Sequence, residues 1–294
     1  MSHDVRSSPA PPAARMDLRA FGPGGPDVAV VGMGTWHSEQ SPRDAVDALR
    51  HGLDLGMCHI DTAEMYGSGA AETLVGRAIA GRRDEVFLVS KVLPSNASRR
   101  GTIAACERSL SRLKTDRLDC YLLHWRGAHP LAETLAAFDE LRSSGKIRFW
   151  GVSNFDVDDL EEAASTGTGL PACNQVLYHV QDRAIEHAVL PWCLDRGIAV
   201  VAYTPFGESP DAFDAKSRPG RVLHDIGAVH GATARQIALA YLLRHSNSFV
   251  IPKASLRDHT TENAGGGALH LTNEDIARID AAFPLGKPRP LPMR

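Results

Sequence analysis

Four residues of this 294-residue chain combine proton-holding side chains with positions that could bring them together. Asp61, Lys91 and His124 each stand where a short apolar run gives way to polar sequence, and Tyr66 follows shortly after the first of them. A tyrosine phenol, with an ordinary pKa of about 10, is a weak acid at neutral pH, and a nearby ammonium stabilises the phenolate and eases release of the proton. Lys91 is the candidate ammonium. At the end of a buried strand it would tend to lose its own proton unless a carboxylate offset the desolvation, and Asp61 is the candidate carboxylate. His124 is suited to orient a carbonyl oxygen by hydrogen bonding while Tyr66 supplies the proton. Together the four suit reduction of a C=O group, with a hydride as the missing reagent. Taken singly, each also reads as an ordinary structural or surface residue, so the chemistry depends on a fold that gathers them.

Such a fold is legible in the spacing of the apolar runs. Short runs over 57–60, 86–89 and 118–123 lead into Asp61, Lys91 and His124. Further runs over 147–152, 172–177, 198–202 and 249–251 end at Ser153-Asn154, contain Asn174-Gln175, or end at Tyr203 and Lys253. With 29–34 these make eight strands, separated by helical patterns such as 131–142, 188–195 and 233–243. Near-continuous apolar runs are what strands buried on both faces require, and intervening helices suit parallel pairing with right-handed crossovers. Eight such units over roughly 250 residues predict an α/β fold, a (β/α)8 TIM barrel whose active site is built at the strands' C-terminal rim. The first helix is marked by Ser41 as a cap, Pro42 in the first turn, Val46, Leu49 and Leu53 on one face, and Gly56 at its close. Turn residues Phe21-Gly22-Pro23-Gly24-Gly25-Pro26 between two apolar pieces predict an N-terminal β-hairpin within 18–31. Residues 1–15 read as a disordered tail, and 16–294 as one barrel domain.

Composition narrows the partners. The chain has 32 Lys+Arg against 35 Asp+Glu, a formal charge of −3, and no block of five or more like charges, which argues against a nucleic-acid surface. No apolar stretch is long enough to span a bilayer and 1–15 has no secretory signal, so a cytoplasmic protein without a membrane partner is expected. The five cysteines and thirteen histidines are scattered without metal-ligand spacing, so no metal site is expected.

The motifs resemble the aldo-keto reductase family over essentially the whole chain from Leu18 to Phe283. Gly32-Met33-Gly34-Thr35-Trp36, His59-Ile60-Asp61-Thr62-Ala63-Glu64-Met65-Tyr66-Gly67, Ser90-Lys91-Val92, Leu122-Leu123-His124-Trp125, Gly151-Val152-Ser153-Asn154-Phe155, Asn174-Gln175-Val176 and Ile251-Pro252-Lys253 occur in the family's order. The wording around Asp61 to Tyr66 and at Pro191-Trp192-Cys193 is similar to bacterial reductases of methylglyoxal and other small carbonyl compounds. The resemblance implies a catalytic tetrad of Asp61, Tyr66 as proton donor, Lys91 and His124, and an NADPH cofactor extended across the barrel mouth. It places cofactor contacts at Gly34, Thr35, Trp36, Ser153, Asn154, Gln175, Tyr203, Thr204, Pro205, Phe206, Lys253, Ala254, Ser255, His259, Glu262 and Asn263. Ser153, Asn154 and Gln175 offer donors and acceptors for a carboxamide, and Tyr203 offers a flat face for the nicotinamide; without the cofactor, the same residues read as loop and core packing. Gly32-Met33-Gly34 is no dinucleotide fingerprint, because His37 stands where the third glycine would fall.

The family's NADPH preference comes from cations around the adenosine 2′-phosphate. Lys253 fills the first such position, but the family's later arginine is replaced here by His259, which weakens discrimination, with Arg257 as a candidate substitute. Trp36, Trp125 and Phe155 are expected as substrate walls, the alternative for each being scaffold packing. A short segment after His124 and a short C-terminus predict an open site for a small carbonyl substrate, and 205–231 reads as a mobile flap over the pyrophosphate. A monomeric NADPH-dependent reductase of small aldehydes, α-ketoaldehydes or ketones is the leading reading. Its rivals are a Schiff-base barrel aldolase using Lys91 and a nicotinamide-binding regulatory subunit.

Overall fold

The structure, a computed structural model, describes residues 16–292; the tail expected at 1–15 lies outside the described residues. Strands β1 (Leu18–Ala20) and β2 (Asp27–Ala29) pair antiparallel, Leu18 opposite Ala29, and form the expected hairpin. The chain then alternates through β3 (Met33–Gly34), α1 (Pro42–Asp54), β4 (His59–Asp61), α2 (Ala70–Ala78), β5 (Phe87–Val92), α3 (Arg99–Leu113), β6 (Leu118–Leu123), α4 (Leu131–Ser143), β7 (Ile147–Ser153), α5 (Val157–Ser165), β8 (Cys173–Leu177), α6 (Val189–Asp195) and β9 (Ala199–Tyr203). Two helices, α7 (Arg218–His230) and α8 (Ala234–Leu242), precede β10 (Ser248–Val250), and α9 (Arg257–Gly265) and α10 (Asn273–Ala282) complete the order.

Strands β3 to β10 pair in chain order, all parallel, and bridges from Val31 to Val250 and from Gly34 to Lys253 join the last strand to the first. The sheet is therefore closed into an eight-stranded barrel. Side chains alternate between the two faces of a strand, and that period builds two cores. Leu88, Val92, Tyr121, Leu123, Val152 and Val200 face outward into the layer shared with the helices. Phe87, Val89, Cys120, Leu122, Cys173, Val201, Phe249 and Ile251 fill the interior, where Phe21 of the hairpin joins them. Arg19 ties the hairpin to the foot of β10 by donating to the carbonyls of His245 (2.6 Å) and Ser248 (3.2 Å).

The same alternation delivers the polar residues. Along β5 the interior row reads Phe87, Val89, Lys91; on β4 it is His59, Asp61; on β6 Cys120, Leu122 and then His124; on β8 Cys173, Gln175. Each row begins among the residues that fill the barrel and ends with a polar group at its C-terminal rim.

Three local expectations need correction. The strand read at 29–34 is divided: Ala29 closes the hairpin, Val30 N–H bonds back to Asp17 O, and the barrel takes up the chain through the Val31–Val250 bridge and the Gly32 N–H to Val250 O bond before the short strand Met33–Gly34. Ser41 gives no side-chain cap to α1; the chain arrives through a 3-10 turn at Ser38–Gln40, and Ala45 N–H bonds the Ser41 carbonyl instead. Finally, 205–231 is not one long loop. Ser217 caps Gly220 N–H at 3.0 Å and starts α7, a helix of 13 residues, leaving only 204–217 as connection.

Candidate active site

Lys91, fully buried, extends its ammonium across the barrel rim and spends all three N–H groups. It donates to Asp61 Oδ1 at 2.5 Å, to the Thr62 carbonyl at 3.0 Å and to the Tyr66 hydroxyl at 3.1 Å. The second oxygen of Asp61 accepts from Gln175 Nε2 at 2.8 Å, and Thr35 Oγ1 donates to the Asp61 carbonyl at 2.9 Å. The carboxylate is thus held between an ammonium and an amide. Burial works to deprotonate Lys91, but the Asp61 charge and the Asp61 and Tyr66 hydrogen bonds outweigh it, so its pKa lies above the ordinary lysine value. An amine nucleophile must be uncharged with a free lone pair; this one is kept as an ammonium with every donor committed, which argues against the aldolase reading. Loss of either partner of such a buried pair leaves an uncompensated charge and costs about 3–5 kcal/mol.

Tyr66 opens a 3-10 turn (Tyr66–Gly69) in which Gly67, Ser68 and Gly69 are all left-handed, with φ of 55°, 53° and 92°. That reversal sets the phenol over the barrel mouth, where the Trp36 ring lies parallel to it (6.0 Å between centroids, 11°) and the His124 ring meets it edge-on at 5.8 Å. Burial pushes the phenol above its ordinary pKa, and Lys91 pulls it down only in part. The sequence led to the opposite expectation, a phenol made more acidic by the ammonium; desolvation of the phenolate is the larger effect in the closed pocket. Tyr66 therefore carries its proton throughout the neutral range, with the ammonium poised to receive the phenolate. Burial, aided by the Lys91 charge, also pushes His124 down to about 2, so its imidazole is neutral. Its Nδ1 is buried without a hydrogen-bond partner among the described residues, leaving Nε2 as the ring nitrogen open to the cavity.

These groups edge a cavity of about 300 Å³ lined by Gly34, Thr35, Trp36, His37, Asp61, Met65, Tyr66, His124, Ser153, Asn154, Gln175, Tyr203, Thr204, Pro205, Phe206, Gly207, Ile251 and Lys253. Across from the tetrad lies a polar cluster. Asn154, held in the left-handed region at φ 60°, donates to the His124 carbonyl (3.2 Å) and to Ser153 Oγ (3.1 Å) and accepts from the Tyr203 hydroxyl (2.9 Å), while Ser153 Oγ donates to the Gln175 carbonyl at 2.8 Å.

The cavity is lined by Asp61, Tyr66 and His124, with Lys91 bonded behind them, together with eleven of the expected cofactor positions, and leaves others outside. Phe155 is a correction: it is fully buried in the outer core, its backbone bonded to the Asn174 side chain (Asn174 Nδ2 to Phe155 O, 2.8 Å), because the left-handed turn at Asn154 carries the next residue away from the mouth. Trp125 stands beside His124, rings 4.7 Å apart, and does not line the cavity. Ala254, Ser255, His259, Glu262 and Asn263 follow Lys253 along the flank; His259 is exposed, Asn263 is buried, and Glu262 accepts from Thr233 Oγ1 at 2.7 Å. Arg257 does not turn toward Lys253, since its guanidinium is drawn to α1 by Asp47 (3.2 Å) and His51 Nδ1 (3.1 Å). Sequence reasoning missed His37, Met65, Gly207 and Ile251. Ile251 was recoverable, being the interior position two before Lys253. It also missed that Gln175 anchors Asp61, and that Glu64 joins two rim loops by accepting from Leu93 N (2.9 Å) and Asn96 Nδ2 (2.8 Å).

Comparison with known proteins agrees with the barrel fold. The Aldo/keto reductase family profile matches residues 30–283. Methylglyoxal reductase YeaE of Escherichia coli (strain K12) is 43% identical over 261 residues, covering 87% of this chain and 92% of that protein. Glyoxal reductase of Bacillus subtilis (strain 168) is 31% identical over 257 residues, covering 87% and 90%. Among solved structures, an aldo-keto reductase from Klebsiella pneumoniae in complex with NADPH superposes with a TM-score of 0.87 at 41% identity, over 95% of this chain and 99% of that one. Among the described residues, no helix is long and apolar enough to cross a membrane.

Proposed function

Because this chain belongs to the aldo/keto reductase family, we propose that it reduces small aldehydes, α-ketoaldehydes or ketones to alcohols with NADPH, Tyr66 acting as general acid. The observation that carries the reading is the Tyr66 hydroxyl, held 3.1 Å from a buried ammonium at the edge of a cavity that also admits a neutral imidazole. The similarity to methylglyoxal and glyoxal reductases supports the small α-ketoaldehyde end of the substrate range.

The residues present fit the cofactor. A carboxamide needs a donor and an acceptor side by side. Gln175 gives one N–H to Asp61 and keeps another, and its Oε1 enters no hydrogen bond among the described residues. Asn154 Oδ1 retains a lone pair beside the one taken by the hydroxyl of Tyr203, a residue that lines the cavity. Gln175, Asn154 and Ser153 would hold the carboxamide, Tyr203 the ring, Thr204 to Phe206 with Gly34 to Trp36 the middle of the molecule, and Lys253, Ser255 and His259 the 2′-phosphate, with Ala254, Glu262 and Asn263 toward the adenine. When bound, NADPH supplies a hydride to the carbonyl carbon.

The chain's own residues manage the oxygen. His124, neutral, donates from Nε2 and orients it. Tyr66 gives up its proton to that oxygen as negative charge develops, and the Lys91 ammonium, 3.1 Å away, stabilises the phenolate left behind. Asp61 keeps Lys91 charged, and Gln175 and Thr35 keep Asp61 in place. The exposed Trp36 edge and Met65 supply apolar wall for a small substrate. A cytoplasmic location and a monomeric state complete the reading, the location supported by five cysteines that are all free.

A panel of aldehydes, α-ketoaldehydes and ketones followed by NADPH absorbance tests the activity. Tyr66→Phe should lower kcat about 10²–10⁴-fold, the usual worth of a general acid, while NADPH affinity survives. Near-normal turnover in that variant would remove Tyr66 from its role, and no turnover of any carbonyl by wild type would remove the reductase reading.

A further inference from the structure

Arg235, in the first turn of α8, places its guanidinium over two aromatic rings. It lies 4.7 Å from the Phe206 centroid and 5.4 Å from that of Phe213, and the two rings meet edge-on at 5.8 Å. The proposed reduction gives no role to Arg235 or Phe213. Phe206, however, is a wall of the cavity, and Phe213 sits deeper in the same 204–217 connection.

The two ends of that connection are fixed from within it. It leaves β9 through left-handed Thr204 (φ 50°) and Gly207 (φ 66°), closed by a Gly207 N–H to Thr204 carbonyl bond of 2.9 Å. Gly207 approaches the neighbouring loop so closely that a Cβ there would stand 3.1 Å from His179 Nδ1. At the far end Ser217 Oγ lies 2.8 Å from the Asp211 carbonyl and 2.9 Å from the Asp214 carbonyl, its one proton shared between them. Between these ends the strap is joined to the helices behind it by His224 Nε2, 3.0 Å from the Phe213 carbonyl, and by the Arg235 stack. Of these, the stack alone reaches a residue that lines the cavity.

We infer that Arg235 is a positioning residue: by clamping Phe206 and Phe213 it holds the strap against the cavity and slows release of the bound dinucleotide. The inference rests on the reading that this cavity takes NADPH.

Stopped-flow measurement of NADPH release, followed by tryptophan fluorescence and triggered with excess NADP+, tests it on the full chain. Arg235→Met removes the cation and Phe213→Leu removes a ring while keeping apolar packing. Each should speed release by roughly five- to twentyfold, the range expected of a cation over a pair of rings. The double variant should release no faster than the quicker single, because both changes break one contact. Arg235→Lys, which keeps charge without the planar stack, should fall between wild type and Arg235→Met. Release unchanged in Arg235→Met, fully additive effects in the double variant, or wild-type behaviour in Arg235→Lys with a silent Phe213→Leu would each overturn the clamp. Failure of wild type to bind NADPH would overturn the cofactor reading along with it, whereas normal binding with unaltered variants sinks the clamp alone.

Discussion

His59 makes the stability of this barrel acid-sensitive in a way that a single substitution can isolate. Its imidazole is fully buried on the interior row of β4, edge-on to Phe21 (5.4 Å), Phe87 (5.8 Å) and Phe249 (6.5 Å), and neither ring nitrogen has a hydrogen-bond partner among the described residues. Burial among those rings, with a further contribution from the Lys91 charge, pushes its pKa down to about 3. The unfolded chain binds a proton on this residue near the ordinary histidine value of about 6.5, and the folded chain refuses it until about 3. Stability from this group is therefore fully present above about pH 6.5 and is lost as pH falls toward 3. At 1.36 kcal/mol per pH unit, moving from pH 7 to pH 5 removes about 2 kcal/mol through His59. That is a sizeable part of an ordinary folding free energy of about 5–15 kcal/mol. The variant is His59→Leu, which cannot titrate and leaves no unpaired nitrogen in the core. Urea unfolding followed by circular dichroism at pH 7 and pH 5 gives the four free energies needed. Wild type should lose about 2 kcal/mol more than His59→Leu over that interval. Equal losses would refute the reasoning, showing either that the interior solvates the imidazolium or that the unfolded chain does not take up the proton.

Two further predictions concern the phosphate end. Lys253 is exposed at the cavity edge beyond the last strand, and Lys253→Ala should raise the KM for NADPH far more than that for NADH; equal effects in steady-state kinetics would withdraw the assignment. With Arg257 engaged by Asp47 and His51, the exposed His259 is left as the second candidate for the 2′-phosphate, so His259→Arg should tighten NADPH binding about tenfold and leave NADH unchanged, read by fluorescence titration. A matching gain for both cofactors would place residue 259 away from the phosphate.

What could be read in advance divides along a physical line. The barrel was legible because strands buried on both faces must be apolar almost throughout, and the interior row of each strand must end somewhere; Asp61, Lys91, His124, Ser153 and Gln175 are where five of those rows end. Side-chain period alone sends them to one rim. It says nothing about residues beyond the strands, whose direction depends on a few dihedrals set by tertiary contacts. Asn154 at φ 60° turns Phe155 out of the site into the outer core, and His37 at φ 57° brings a residue with no sequence signal onto the cavity wall. Arg257 illustrates a second limit, since a cation at a plausible spacing is claimed by whichever carboxylate folding brings nearest, here Asp47 from a helix more than two hundred residues earlier. Tyr66 illustrates the third. An ammonium beside a phenol lowers its pKa in open solvent, but here burial reverses the net direction because desolving the phenolate costs more than a single ammonium already paired with Asp61 returns. Charge and spacing can name the proton donor, but the depth of its pocket decides how tightly it holds the proton. For a general acid that must arrive protonated and give up its proton only as charge builds on the substrate oxygen, the pocket's direction of shift is the useful one.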